Sequence, residues 1–224
     1  MTLELILLAL ESALLVFTIA LLALSIREGR GRDALILQVT SAMRMLTRHE
    51  YFISVIDSMM DAREEVVASI TGRMPNNPDD AKRVRSLAIN IEKLTAQGII
   101  VRYLMPKFQD RLHMGWLYTR AGAEVRYNVC PVSLGFRYTV IDAKVVIVGI
   151  LEETGEREAT RKGDRLPSEE LGAILKKYFY DCWDTQITFD EFLKETMAQT
   201  GASPKTLSRE LQIDESYLER ISSN

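Results

Sequence analysis

From Glu65 onward, short unbroken apolar runs alternate with segments of helical spacing, and this rhythm limits the fold more than any other feature. Val66-Val-Ala-Ser-Ile70 has the length and continuity of a buried strand. Turn-forming residues follow from Met74 to Asp80. Val84, Leu87, Ala88, Ile91 and Leu94 then recur at helical spacing, and Gly98 marks a stop. Ile99 to Leu104 reads as a second strand closed by Pro106. Phe108 to Arg120 reads as a second helix ending at Gly122, and Glu124 to Val129 as a third strand. Strands and helices alternating at these lengths predict an α/β fold, with helical crossovers setting the strands parallel.

The next stretch has a different character. Arg137 to Ile141 and Lys144 to Ile150 read as two more strands around a tight turn at Asp142-Ala143. Glu152 to Pro167 is polar and reads as a loop. Ser168 is a fair helix cap, with Glu169 and Glu170 in the first turn, where the helix dipole favours them. The helix that follows carries Leu171, Ile174, Leu175, Tyr178, Phe179, Cys182 and Trp183 on its expected inner side.

The stretch Gly135 to Gly149 resembles a phospholipase D signature that has lost its nucleophile. That family's motif is His-x-Lys, four residues, Asp, and a Gly seven positions further. Asp142 and Gly149 keep the spacing, Gly135 stands at the His position and Arg137 at the Lys position. Phe179 and Trp183 resemble the family's closing F-x-x-x-W. The lead from Tyr51 to Ser69 looks like the start of the effector domain of TrmB-type archaeal transcription regulators. The resemblance covers roughly residues 50 to 187. It implies one half of a phospholipase D-like fold, a mixed sheet flanked by helices, placed at residues 63–187.

It does not carry the family's chemistry with it. Phospholipase D enzymes attack a phosphodiester with the motif His. Gly135 has no side chain with which to form a covalent intermediate. His49 and His113 sit in no matching motif. Arg137 retains the capacity to pair with phosphate or carboxylate, although its plainer reading is a charged residue on a strand face. Tyr138 and Asp142 join it as candidate ligand contacts, with Asp142 more simply a turn residue. Ser133 and Thr139 lie near the motif without an obvious base. The aromatic set Trp116, Tyr118, Tyr127, Phe136 and Tyr138 reads first as core or rim. Cys130 and Cys182 have no metal-like spacing and suit a reducing compartment. No cofactor or metal is expected.

Upstream lies a nearly continuous apolar run, Leu5 to Ile26, long enough to span a bilayer. Glu4 and the absence of a basic amino end argue against a signal peptide. Residues 1–27 are therefore expected to be a single-pass anchor. Arg27, Arg30 and Arg32 put the remainder of the chain in the cytoplasm. Glu11 inside the run is costly. It either reaches the surface or packs at a helix contact beside Ala9, Ser12 and Ala13.

Gly29 and Gly31 separate the anchor from a helix expected over residues 33–62. Leu35, Val39, Ala42, Leu46, His49, Ile53, Ile56 and Met60 follow heptad steps along it. The first reading is an amphipathic helix packed on its own domain, and the second is a parallel dimer helix. His49 on this seam reads as a partly buried histidine.

Residues 188–224 complete the chain as a helical tail. Phe189 to Thr200 leads to Gly201, Ser203-Pro204 starts a helix through Leu207 and Leu211, and Asp214 caps a last one bearing Leu218 and Ile221. The pair resembles a helix-turn-helix core. Its would-be recognition helix carries Asp214, Glu215 and Glu219 against Arg220 alone, which repels phosphates, so DNA is not the expected partner. The chain's net charge of -3 agrees. The functional expectation is a membrane-tethered sensor, regulator or scaffold that forms homo-oligomers and binds an anionic or polar small ligand or a partner. The alternatives are a phosphodiesterase with a non-standard site and a membrane-bound transcription regulator.

Overall fold

The computed structural model describes residues 48–75, 77–128, 136–151 and 160–223. The predicted span at residues 5–26, Gly135, Ser133, Cys130 and the first half of the 33–62 helix lie outside them. Among the described residues no helix is long and apolar enough to cross a membrane.

The first described helix, α1, is Arg48–Met59. It leads into β1 (Glu65–Ser69), whose five residues are all buried. Helix α2 (Pro78–Ala96) begins where Asn77 accepts from the Asp80 amide and Pro78 occupies the first turn. Strand β2 is Ile100–Pro106. The predicted helix at Phe108 starts later: Phe108 is extended, Gln109–Arg111 forms one 3-10 turn, and α3 is Leu112–Arg120. Strand β3 is Glu124–Asn128. Register pairs β1 with β2 and β2 with β3, all parallel, as the alternation of elements required.

The sheet does not stay parallel. Strands β4 (Phe136–Ile141) and β5 (Val145–Leu151) form an antiparallel hairpin, with β4 laid antiparallel against β1. The segment read as a polar loop contains a strand, β6 (Thr160–Pro167), paired with β5. Its backbone completes the sheet while its residues remain polar, so apolar alternation could not reveal it. Helix α4 (Glu169–Trp183) is capped by Ser168, which accepts from the Leu171 amide. The two-residue β7 (Ile187–Thr188) then pairs with β3. The result is a seven-stranded mixed sheet in the order β6-β5-β4-β1-β2-β3-β7.

Alternation divides the two faces. One carries Val66, Ala68, Val101, Tyr103, Met105, Val125, Tyr127, Ile141 and Ile147 into the main core with α1, α2 and α3. The other is covered by α4 through buried Leu175, Phe179 and Trp183; Ile174, expected inside, is exposed. Three more helices close the chain: α5 (Phe189–Thr200), α6 (Pro204–Leu211) and α7 (Glu215–Ser223). Phe189, Phe192, Leu193, Leu207, Ile213 and Leu218 of this tail belong to the same core cluster as the sheet.

Candidate functional site

The β4–β5 hairpin carries three of the four motif positions, Arg137, Asp142 and Gly149. Arg137 stands directly opposite Gly149 in the register. At the far end the chain turns through Asp142 and Ala143, both with positive φ (51° and 52°), and the Lys144 amide donates to the Ile141 carbonyl. Positive φ at successive residues matches the twist of a hairpin, and Asp tolerates it better than most residues.

The Asp142 side chain does structural work. Its carboxylate accepts from the amides of Arg63 (2.8 Å), Glu64 (2.9 Å) and Glu65 (3.0 Å), and its own amide donates to the Glu65 carbonyl. It thereby ties the turn to the start of β1. Burial pushes the carboxyl pKa up, but the three amides and nearby Lys144 outweigh burial and hold it below the ordinary value. Gly172 in α4 lies against the same turn: a Cβ there would stand 2.2 Å from the Ala143 carbonyl oxygen. The Ser168 amide closes the corner by donating to the Lys144 carbonyl.

Arg137 sits at the other end of β4 and is buried. Its neighbours include Tyr51 of α1, which hydrogen-bonds Thr139. Burial raises the Tyr51 pKa, and the Arg137 charge and the Thr139 contact offset only part of that rise. Arg137 and Thr139 share one sheet face, whereas Tyr138, opposite Ser69 of β1, lies on the other. The buried Ser69 hydroxyl makes no hydrogen bond. Five residues of strand separate Arg137 from Asp142, about 17 Å at the usual rise. The hairpin therefore does not bring Arg137, Tyr138 and Asp142 together around one point.

The remaining candidates disperse as well. Tyr118 and Tyr127 are buried in the core, and burial drives both hydroxyl pKa values far up. Trp116 packs on Tyr217 of α7 at 4.4 Å between ring centroids. The side chain of Phe136 falls outside the described set. His113 donates from Nδ1 to the Leu211 carbonyl (3.0 Å), since a carbonyl only accepts, and so fixes the tail to α3. Cys182 forms no disulfide with any described residue. Among the described residues no cluster of His, Cys, Asp and Glu is placed to hold a metal. In α7, Glu215 and Glu219 are exposed and Arg220 lies over the Tyr217 ring at 4.8 Å.

One network has no counterpart in the sequence reading. Glu65 pairs with Lys176 and accepts from the Tyr180 hydroxyl (2.7 Å). Tyr180 accepts from Arg102, which also pairs with Glu124 (3.0 Å). Arg126 donates to the Trp183 carbonyl (2.8 Å) beneath the same helix. These contacts clamp α4 to the sheet. Their partners lie far apart in the chain, so no local spacing announces them.

Three of the solved structures that resemble this chain do so weakly. One is a phospholipase D family member, Nuc from Salmonella typhimurium, at 12% identity over 61% of this chain and 88% of that one, with a TM-score of 0.44. A second is TrmBL2, described as an archaeal chromatin protein with a novel mode of DNA binding, at 14% identity over 73% of this chain and 62% of that one, with a TM-score of 0.47. A third is NucT from Helicobacter pylori, at 16% identity over 66% of this chain and 97% of that one, with a TM-score of 0.49. At these levels the likenesses carry no functional weight. No family model and no curated protein matches the chain.

Proposed function

We propose that this chain is a membrane-tethered, non-catalytic binding protein whose cytoplasmic part is a phospholipase D-like half domain that takes a small anion near Arg137. The observation that carries the reading is the division of the hairpin. Asp142 is held by backbone amides at one end, and the cation stands about 17 Å away at the other. No histidine occupies the motif, since Gly135 takes that place. A buried guanidinium beside Tyr51 and Thr139 supports anion pairing without chemistry. The tether rests on Leu5 to Ile26 and its basic carboxyl flank.

The test uses the full chain in lipid nanodiscs, with bis(4-nitrophenyl) phosphate as substrate and inorganic phosphate as binding probe. We expect no hydrolysis above the empty nanodisc. We also expect phosphate binding that Arg137→Gln weakens by about tenfold or more, the order of one charge-assisted contact. Hydrolysis abolished by Arg137→Gln would show an enzyme instead. Equal phosphate binding by both proteins would remove the anion site. Recovery of the expressed full chain in the soluble fraction would remove the tether.

A further inference from the structure

Glycine in the interior of a strand weakens it, and it often marks a place where a ligand or another backbone comes close to the sheet. The seven described strands hold two glycines, Gly149 of β5 and Gly163 of β6. They stand directly opposite each other, and Gly149 also stands directly opposite Arg137 of β4. Arg137, Gly149 and Gly163 therefore form one row across three strands, about 10 Å from end to end. The same sheet face carries a neighbouring row, Thr139, Ile147 and Arg165. Helix α1 lies on that second row: Tyr51 hydrogen-bonds Thr139, and the Ser58 hydroxyl accepts from Arg165 Nε (2.9 Å). The glycine row thus runs beside α1, displaced about 7 Å toward the carboxyl end of β1. Over Gly149 and Gly163 its floor is backbone, and the buried Arg137 stands at one end.

We infer that this row is a binding strip for a flat organic anion of the aromatic carboxylate class, whose charged group pairs with Arg137 and whose ring lies over Gly149 and Gly163. The inference rests on the anion reading of Arg137 and names the kind of anion. A carboxylate matches the planar fork of a guanidinium. Gly149 lies between two paired strands, so the sheet ladder engages its backbone polar groups, and what it offers a ligand is an apolar surface. A ring is thin enough to lie between a floor without side chains and the flank of α1. A branched aliphatic body would need the space that α1 takes, and a bare phosphate would not reach past Arg137 to the glycines. Two glycines in register with one cation are thereby explained together, although each weakens its strand. Close packing of α1 is the competing cause for the pair, but α1 is tied to the neighbouring row.

The experiment titrates the full chain in lipid nanodiscs with benzoate and with acetate by calorimetry, against the empty nanodisc. The two probes share a carboxylate and differ in the ring. Benzoate is expected to bind about tenfold tighter or more, the order for burying a ring. Arg137→Gln is expected to weaken both. Gly163→Ala sets a methyl into the strip on an outermost strand. It is expected to lower the benzoate-to-acetate ratio by about fivefold or more, as crowding a packed contact does. A circular dichroism melt reports whether that variant keeps the fold, and the wild-type ratio tests the inference without any variant. Equal affinity for benzoate and acetate overturns the inference, while phosphate binding by the same protein keeps the anion reading. A folded Gly163→Ala with an unchanged ratio overturns it too and assigns the glycines to packing beside α1. A wild-type chain that binds none of benzoate, acetate and phosphate removes the anion reading itself and this inference with it.

Discussion

The two ends of the β4–β5 hairpin handle polar groups in opposite ways. At the turn, Asp142, Ser168 and Gly172 leave little slack: the amides of Arg63, Glu64, Glu65, Asp142, Lys144 and Ser168 each have an acceptor, and the turn's backbone contacts a residue with no side chain. At the other end, a guanidinium is enclosed beside Tyr51 while the Ser69 hydroxyl across the sheet goes without a hydrogen bond. Satisfied groups specify a fold. The contrast teaches that within one sequence motif Asp142 serves architecture, tying the turn to the start of β1.

Substitutions at the turn are the strongest way to challenge that division. Gly172→Ala should cost on the order of 3 kcal/mol or prevent folding, because the new methyl meets backbone that has nowhere to go. Urea denaturation measures it, and a loss under about 1 kcal/mol would show that α4 docks more loosely than described. Asp142→Asn should cost about 2 kcal/mol at neutral pH, since an amide replaces a carboxylate that serves three donors. Its pH dependence gives a sharper reading. The folded carboxyl titrates below its ordinary value of 3.8, so its stabilising effect is complete above that value and is lost as pH falls through the lower folded one. The gap between wild type and Asp142→Asn should therefore narrow in denaturation curves as pH is lowered below 3.8, and a constant gap would remove the charge from the explanation. The smallest effect belongs to Ala143→Gly. Glycine accepts the positive φ without strain, so this change should stabilise by about 0.5 kcal/mol in the same assay. A loss of stability there would mean that the Ala143 methyl packs usefully.

Much of this fold was legible from the chain because its central strands are largely buried and therefore mostly apolar. Val66 to Ile70 and Ile99 to Leu104, broken only by Ser69 and Arg102, are of this kind, and they proved to be neighbours. Helix ends were readable where a cap is chemical, as with Ser168 and Ser203-Pro204, whereas Asn77-Pro78, which starts α2, reads equally as turn. Strand β6 escaped because an outermost strand is held by backbone bonds, which leave no mark on side-chain pattern. The site was harder to read. The motif marked Arg137 and Asp142 by spacing, but spacing carries no distance, and the extended backbone between them sets them far apart. The Glu65-Lys176-Tyr180-Arg102 clamp was invisible because it is assembled from three elements remote in sequence.

The polar strand that escaped notice has a consequence for how copies of this chain behave at high concentration. An open sheet offers unpaired amides and carbonyls at both margins, a template for stacking sheet upon sheet into aggregates. One margin here is only two residues long, Ile187–Thr188. The other carries Arg161, Lys162, Asp164 and Arg165 and ends in Pro167. A dense set of charges and a residue without an amide hydrogen discourage further strands from adding. The described margins of this sheet thus work against fibrous assembly.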